Sequence, residues 1–432
     1  MNASRDLGLV SRGAGSAQPK ESEDSIGIWD GKKFVVSLQN TSSWWNIGKI
    51  LWRYGLAPIR AQSLMKSTVK KFLRLYAEPM FPFRSLSSAV EALGLLNATA
   101  SPGEVFLEKN GISSDFAREV IQASTRVNYG QNLPLIHGLE AMVCMAAEGA
   151  VAIEGGNWRI FDGMLKSSGA DVRLNNPVSS IEQNPDGTLT VKSKSTSTSK
   201  QQETTHTFDE VVIAGPLQYS GISISPPLDH TPDEIPYVKL HVTLFSSPHR
   251  ISPEFFGLGP NGQTPETILT TLPKGLDLGP SKEGVGPAGF WSISTLQTVN
   301  APSSSENEGQ QQKHYVYKIF SPERPTADFI SQILALNNNN TNSQSTISDL
   351  PKTDISWFHE KIWNPYPFLY PRVTFEEPSV GPNIWYTGGI ESFISTMETS
   401  SLMGRNVAAL MVESWGSGGL EKKERVVKRD DL

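Results

Sequence analysis

Only one cysteine, Cys144, occurs among the 432 residues. That excludes an intramolecular disulfide framework and any cysteine-rich metal site. Its surroundings, AMVCMAAEGA, are apolar, so the thiol reads as a small packed side chain and not as a nucleophile. The seven histidines, His137, His206, His230, His241, His249, His314 and His359, lack metal-ligand spacing, and no G-x-S-x-G or Cys/His pairing points to hydrolysis. No run of about 18 apolar residues is present, so no transmembrane helix is expected. The opening MNASRDLGLVSRGAG has no apolar centre of the kind a signal peptide requires. With 38 Lys and Arg against 44 Asp and Glu, the formal charge of −6 offers no basic stripe, which removes nucleic acid from the expected partners. The one G-x-G-x-x-G, Gly257 to Gly262, contains Pro260 and is followed by Pro265. A helix with a phosphate-facing N-terminus does not open on such a stretch, and it reads as a loop.

What is present is a globular chain long enough for a large core and two domains. Its most informative stretch is WYTGGIESFISTMETSSLMGRNVAALMVESW, Trp385 to Trp415, which reads as strand, glycine turn and helix start. Gly388 and Gly389 let backbone approach a ligand closely, and Ser395-Thr396-Met397-Glu398 has capping-box spacing, which starts the helix near Thr396. The helix amides and dipole then favour a phosphate or a ring with negative charge, although an ordinary buried C-terminal helix has the same signature. A second segment, IEGGNWRIFDGMLKSSGADVRLNNPVSSIE from Ile153 to Glu182, gives a glycine turn, a helix and a strand. TLTVKS and FDEVVIAGPL, Phe208 to Leu217, add a hairpin strand and a buried strand.

Between Trp44 and Tyr76 apolar residues recur at three-to-four spacing, predicting two amphipathic helices broken at Pro58, and Leu86 to Asn128 continues as helices joined at Pro102-Gly103. VKLHVTLFSS and ETILTTL read as strands of a second sheet. Lys192 to Thr207, Ala301 to Lys313 and Asn337 to Pro351 lack apolar periodicity and read as loops or hairpin insertions.

The order of the two glycine turns resembles the flavin-binding parts of the amine-oxidase-like flavoproteins. RVNYGQN at Arg126 to Asn132, EGGN at Glu154 to Asn157 and GGIESFISTMETSS at Gly388 to Ser401 narrow the resemblance to the prenylcysteine oxidase (prenylcysteine lyase) family. WRYGLAPIR at Trp52 to Arg60, EFFGL at Glu254 to Leu258, VYKIFS at Val316 to Ser321 and WNPYPFLYP at Trp363 to Pro371 are similar too, so the likeness runs from about Asp6 to Trp415. Members of that family begin with a strand, a G-x-G-x-x-G turn and a helix that hold the adenosine diphosphate half of FAD. That unit is absent here, and the expectation is a signal peptide plus a first βαβ unit upstream of Met1.

The resemblance implies a mixed α/β (α+β) chain with the two-domain architecture of amine-oxidase-like FAD flavoproteins and an incomplete Rossmann-type cofactor domain. Residues 25–140 and 218–375 would form the substrate domain, 141–217 and 376–416 the remnant FAD-binding domain, and 417–432 a disordered tail. It implies oxidation of a farnesyl or geranylgeranyl cysteine thioether by oxygen, giving cysteine, a prenyl aldehyde and hydrogen peroxide. No catalytic acid or base is assigned. Met397 would face the flavin N1 and C2 carbonyl, Glu391 the ribityl hydroxyls, and Gly388 and Gly389 the pyrophosphate. Gly155, Gly156 and Asn157 look like a second flavin-proximal turn and Val178 like the strand residue bordering adenine, with a plain sheet core the alternative for Val178 and Ala214. Tyr129 and Tyr386 are the leading substrate contacts, and Trp44, Trp45, Trp52, Tyr54, Tyr366, Phe368 and Trp385 are further candidates for an isoprenoid slot. Family relatives look lysosomal or secretory and glycosylated, and sequons stand at Asn2, Asn40, Asn97 and Asn339. Two other readings stay open: a catalytically silent relative that binds lipid or a partner without flavin, and an amine-oxidising flavoenzyme.

Overall fold

The computed structural model describes residues 3–13, 25–38, 43–146, 151–196, 203–259, 261–281, 284–302, 311–337 and 344–427. Six helices matter below: α1 (Ser43–Tyr54), α2 (Ala57–Phe72), α3 (Gln122–Tyr129), α4 (Gly138–Met145), α5 (Trp158–Ser168) and α6 (Met397–Val427). Around them lie four sheets of two, seven, three and four strands among the described residues, a mixed α/β architecture.

The seven-stranded sheet runs in the order Trp357–Trp363, Leu240–Ser247, Gln311–Ser321, Ser292–Pro302, Thr267–Thr270, Ile26–Trp29, Phe34–Leu38. All its pairings are antiparallel except Ile26–Trp29 beside Thr267–Thr270. Successive side chains leave opposite faces of a strand, so Ile28 joins the helical core while its neighbour Trp29 joins a second core with Phe245, Ile293 and Ile319. On the helical side, α2 buries Ala57, Ala61, Thr68 and Phe72 against α4. That spacing is one helix face, and its Phe72 meets Phe393, just ahead of α6.

The two predicted helices of the 44–76 region are α1 and α2, but the break falls at Gly55 (φ +58°) and not at Pro58. Proline costs nothing in the first turn of a helix, where its missing N–H has no intrahelical partner, and Pro58 occupies that turn of α2. The G-x-G-x-x-G stretch follows a 3₁₀ turn, Glu254–Phe256, and leads to the strand Thr267–Thr270 without an intervening helix among its described residues. α6 continues to Val427 and so includes residues 417–427 of the expected disordered tail, where Leu420 to Arg425 are strong helix formers. Residues 428–432 lie outside the described residues, as do Asn2, Asn40 and Asn339. Asn97 is exposed.

The strand Val211–Ile213 lies parallel to Ile384–Tyr386, which pairs antiparallel with Ser379–Gly381. A four-stranded sheet, Glu203–Phe208, Leu189–Lys194, Val178–Gln183 and Ser223–Ser225, shares a core with it through Ile181, Leu189, Ile213, Ile384 and Tyr386. The strand Val151–Ile153 pairs instead with Ser11–Gly13.

Candidate functional site

The strand Ile384–Tyr386 delivers the chain into a 3₁₀ turn, Gly388–Ser392, and then into α6. Neither glycine has a positive φ, so the requirement is for space. A Cβ on Gly389 would lie 2.7 Å from Cβ of Glu376 and 2.8 Å from its carbonyl oxygen, and one on Gly388 would strike the Tyr386 ring. The close approach these glycines permit is therefore to the protein's own groups. The predicted capping box is displaced by one residue. Thr396 is the cap: its Oγ1 accepts from the Thr399 amide at 3.1 Å, and Thr399 Oγ1 accepts from the Thr396 amide at 3.2 Å, so the helix begins at Met397. Thr399 supplies the reciprocal acceptor where the Ser395 reading required Glu398.

Ser395 has a different task. Its carbonyl accepts a 3.0 Å hydrogen bond from the Tyr129 hydroxyl, which ties the end of α3 to the start of α6. Tyr129 is buried and meets Tyr366 edge-on, with ring centroids 5.1 Å apart. The rest of RVNYGQN explains why such a motif is needed here. Gly130 ends α3 at φ +61°, the left-handed conformation that glycine adopts without strain. Gln131 then donates to Pro367 O at 3.0 Å and accepts from the Leu369 amide at 2.9 Å, fixing the aromatic run WNPYPFLYP. Arg126 is fully buried and bonds only neutral acceptors: Thr270 Oγ1, Asn132 Oδ1 and the carbonyls of Gly284 and Val285. It also lies over the Trp291 ring, and burial lowers its guanidinium to about 9. Arg126, Tyr129 and Gln131 of the motif thus hold three different chain segments around one helix end.

Beside Tyr129 lies Glu140 of α4, which has no exposure, and neither carboxylate oxygen meets a partner at hydrogen-bonding geometry. Burial pushes its carboxyl up to about 8, although the nearby Tyr129 hydroxyl and Ser395 backbone pull the other way. Below about pH 8 it is a neutral acid. His137, which caps α4 by accepting the Glu140 amide at 3.1 Å, is driven down to about 4 by the same burial, so it is neutral at physiological pH. Sequence reasoning passed over both residues. The available signal was a lone acid inside the apolar run Leu135 to Ala147.

Glu391 is half-buried in the 3₁₀ turn, and its Oε2 accepts a short hydrogen bond from Tyr237. Burial raises its carboxyl above the usual carboxylate range. Tyr386 is buried beside it, and Tyr237 meets Tyr219 edge-on at 5.2 Å. Neither Tyr237 nor Tyr219 was singled out by the sequence, since both precede the turn by some 150 positions or more.

The other turn is built locally. Gly155 and Gly156 take φ of +82° and +110°, Trp158 Nε1 donates to Gly155 O at 2.9 Å, and Asn157 Oδ1 accepts from the Ile153 amide at 3.1 Å. A Cβ on Gly156 would lie 2.8 Å from the Trp158 ring, so here too the chain's own aromatic covers the bare backbone. Val178 opens its strand half-buried and packs into the core with Ile181 and Leu189, the sheet-core position weighed from sequence. Of the remaining aromatic candidates, Tyr54 is core, bonded to Glu119 at 2.5 Å, and Phe368 is core, stacked on Tyr370. Trp385 bonds Glu210 at 2.7 Å. Trp52 is 92% exposed. The side chains of Trp44 and Trp45 lie outside the described residues. A cavity of about 180 Å³ sits elsewhere, between Glu104, Gln122, Asn132, Leu272 and Asp277.

A flavin needs donors for its N1–C2 edge, partners for its ribityl hydroxyls and bare backbone for its pyrophosphate. The α6 start suits the first two needs. The Met397 and Glu398 amides lie between the reciprocally bonded Thr396 and Thr399 at the positive end of the helix, Met397 is 55% exposed, and Glu391 lies in the preceding 3₁₀ turn. The third need meets glycines already covered by Tyr386 and Trp158.

The chain belongs to the prenylcysteine lyase family, whose defining pattern matches residues 38–424. It is 25% identical to the farnesylcysteine lyase of Arabidopsis thaliana over 411 residues, which cover 91% of this chain and 71% of that protein. It is 26% identical to prenylcysteine oxidase 1 of Rattus norvegicus, covering 94% of this chain and 75% of the relative, and 26% identical to the Homo sapiens protein, covering 95% and 76%. A solved structure of a redesigned putrescine oxidase double mutant aligns with a TM-score of 0.49 at 12% identity, over 95% of this chain and 85% of that one. A likeness so distant carries no conclusion about function.

Proposed function

We propose that this chain is a flavin-dependent thioether oxidase that cleaves farnesyl- or geranylgeranyl-cysteine. The carrying observation is the Tyr129–Ser395 hydrogen bond, which joins the RVNYGQN motif to the helix start where a flavin edge would rest. The substrate carbon that loses a hydride is bonded to sulfur and is also allylic, so the resulting positive charge is shared by both neighbours. Water adds there, the carbon–sulfur bond breaks, and cysteine and a prenyl aldehyde leave. When bound, FAD supplies the hydride acceptor and passes the electrons to oxygen, giving hydrogen peroxide. Such chemistry asks little of acids and bases, in keeping with a site where Glu140 and His137 are both neutral. The protein's part is orientation, dryness and stabilisation of negative charge at the α6 start. Tyr129 and Tyr366 would flank the substrate, and Glu391 would hold the ribityl hydroxyls.

The test is to incubate the chain with FAD and farnesylcysteine and follow peroxide together with farnesal. Farnesylcysteine should be turned over, simple amines should not, and Glu391→Ala should retain less flavin through gel filtration. Oxidation of amines with no attack on farnesylcysteine would reverse the substrate assignment. A second reading, a silent relative that binds no flavin, is favoured by the covered glycines at Gly388 and Gly156. Failure of FAD to quench protein fluorescence at any concentration would select it.

A further inference from the structure

The α1–α2 hairpin presents a surface that the proposed chemistry does not use. From Gly31 to Ala77 the sequence contains no Asp or Glu but nine Lys and Arg, inside a chain whose formal charge is −6. A local basic face therefore exists despite the expectation drawn from the overall charge. The buried face of α2 is Ala57, Ala61, Thr68 and Phe72. Its opposite face exposes Ile59, Ser63, Lys66, Lys70 and Leu73, spaced by three or four residues so that they form one stripe. At the hairpin tip the exposures are 92% for Trp52, 59% for Leu56 and 54% for Ile59.

The cations around the tip divide into two groups. Arg53 is bound to Glu119, Arg60 to Gly111 O and Lys71 to Gly94 O. The side chains of Lys49, Lys66, Lys70 and Arg74 are exposed and make no ion pair or hydrogen bond among the described residues. A tryptophan with two aliphatic neighbours, flanked by unpaired cations, with Glu119 already taken by Arg53 and Tyr54, is the composition of a segment that rests in the interface of a negatively charged bilayer. The aromatic and aliphatic tips suit the acyl boundary, and long cationic side chains reach back to phosphates.

We propose that the α1–α2 tip docks on an anionic lipid bilayer, with Trp52, Leu56 and Ile59 entering the headgroup region and Lys49, Lys66, Lys70 and Arg74 facing lipid phosphates. This stands apart from the oxidase reading, because it concerns neither flavin nor thioether. The experiment is co-sedimentation of the full chain with vesicles of phosphatidylcholine alone or with about 30% phosphatidylserine, at low and at physiological salt. Binding should favour the anionic vesicles at least tenfold and weaken with salt. Lys66→Glu with Lys70→Glu should reduce it at least tenfold, and Trp52→Ala with Leu56→Ser by about the same factor, while Lys352→Glu on another surface changes nothing. All these side chains are exposed, and circular dichroism with a thermal melt verifies that each variant is folded. Absence of vesicle binding, equal binding to both vesicle types, or an equal loss in Lys352→Glu overturns the proposal. So does a dimer that Trp52→Ala with Leu56→Ser converts to monomer while no vesicle is bound, since a second copy of the chain is then the occupant.

Discussion

α4 and α5 follow one another in the chain and have opposite fates. Of the eight residues of α4, Gly138, Leu139, Glu140, Ala141, Met142 and Cys144 are buried, whereas none of the eleven residues of α5 is. α4 is apolar around its whole circumference, so helices and sheet must enclose it, and its single acid is neutralised by burial. α5 is amphipathic, yet its stripe of Trp158, Phe161 and Leu165 faces solvent. Amphipathic patterning thus specifies a helix and the face that seeks cover, but burial depends on whether another element is there to supply it.

The comparison is broken most directly by mutation. Met142→Ala in α4 should cost about 2 to 5 kcal/mol in denaturant unfolding, whereas Phe161→Ala in α5 should cost no more than about 0.5 kcal/mol. Equal losses would erase the distinction between the two helices.

A smaller effect is a pH dependence carried by α4. Glu140 titrates near 4.5 when unfolded and at about 8 when folded, so the native state holds the extra proton between those values. Its contribution is complete below about pH 4.5 and declines as pH rises towards 8. His137 acts in the opposite sense: at about 4 folded against 6.5 unfolded, it favours folding increasingly as pH rises through that interval and is constant above it. The two oppose each other between about pH 4.5 and 6.5. From 6.5 to 8 Glu140 acts alone of the pair, and stability should fall by on the order of 2 kcal/mol. Glu140→Gln should flatten that fall in thermal melts buffered at intervals across the range; an unchanged slope would show that the proton resides elsewhere.

The smallest effect on stability, and the most useful in practice, belongs to α5. Phe161→Glu should leave the melting temperature within about 2 °C and raise the concentration at which the protein precipitates, because it interrupts an exposed apolar stripe. A large loss of stability would mean that α5 has a buried partner in solution.

The same contrast explains what could be read in advance. Strand, turn and helix at 384–397 were legible because their signals are local: a β-branched and aromatic strand, two glycines, and hydroxyl residues with capping-box spacing. The helix start was misplaced by one residue because three hydroxyl residues stand close together and only tertiary geometry, with Tyr129 claiming the Ser395 carbonyl, decides which one caps. RVNYGQN was legible as a pattern, but not as the clamp of Arg126, Tyr129 and Gln131, whose partners lie up to 266 positions away. Glu140 was passed over because a helical glutamate is ordinarily a solvated one, although the apolar run around it was a signal to the contrary. The basic face of α1–α2 was hidden by averaging, since acidic residues elsewhere outweigh it in the total.

Asn406 of α6 donates to the Phe83 carbonyl at 2.8 Å and accepts from the Phe83 amide at 2.7 Å, clasping main chain 323 positions earlier. During synthesis at roughly 5 to 20 residues per second, Phe83 therefore waits on the order of tens of seconds for its partner to be made. Through that interval the face around Phe72, Leu75 and Phe83 lacks the Phe393 and Leu402 side chains that complete its core. The last helix is thus a late closure for the first ones. A ribosome-bound chain that still lacks α6 therefore exposes apolar side chains that the finished core buries.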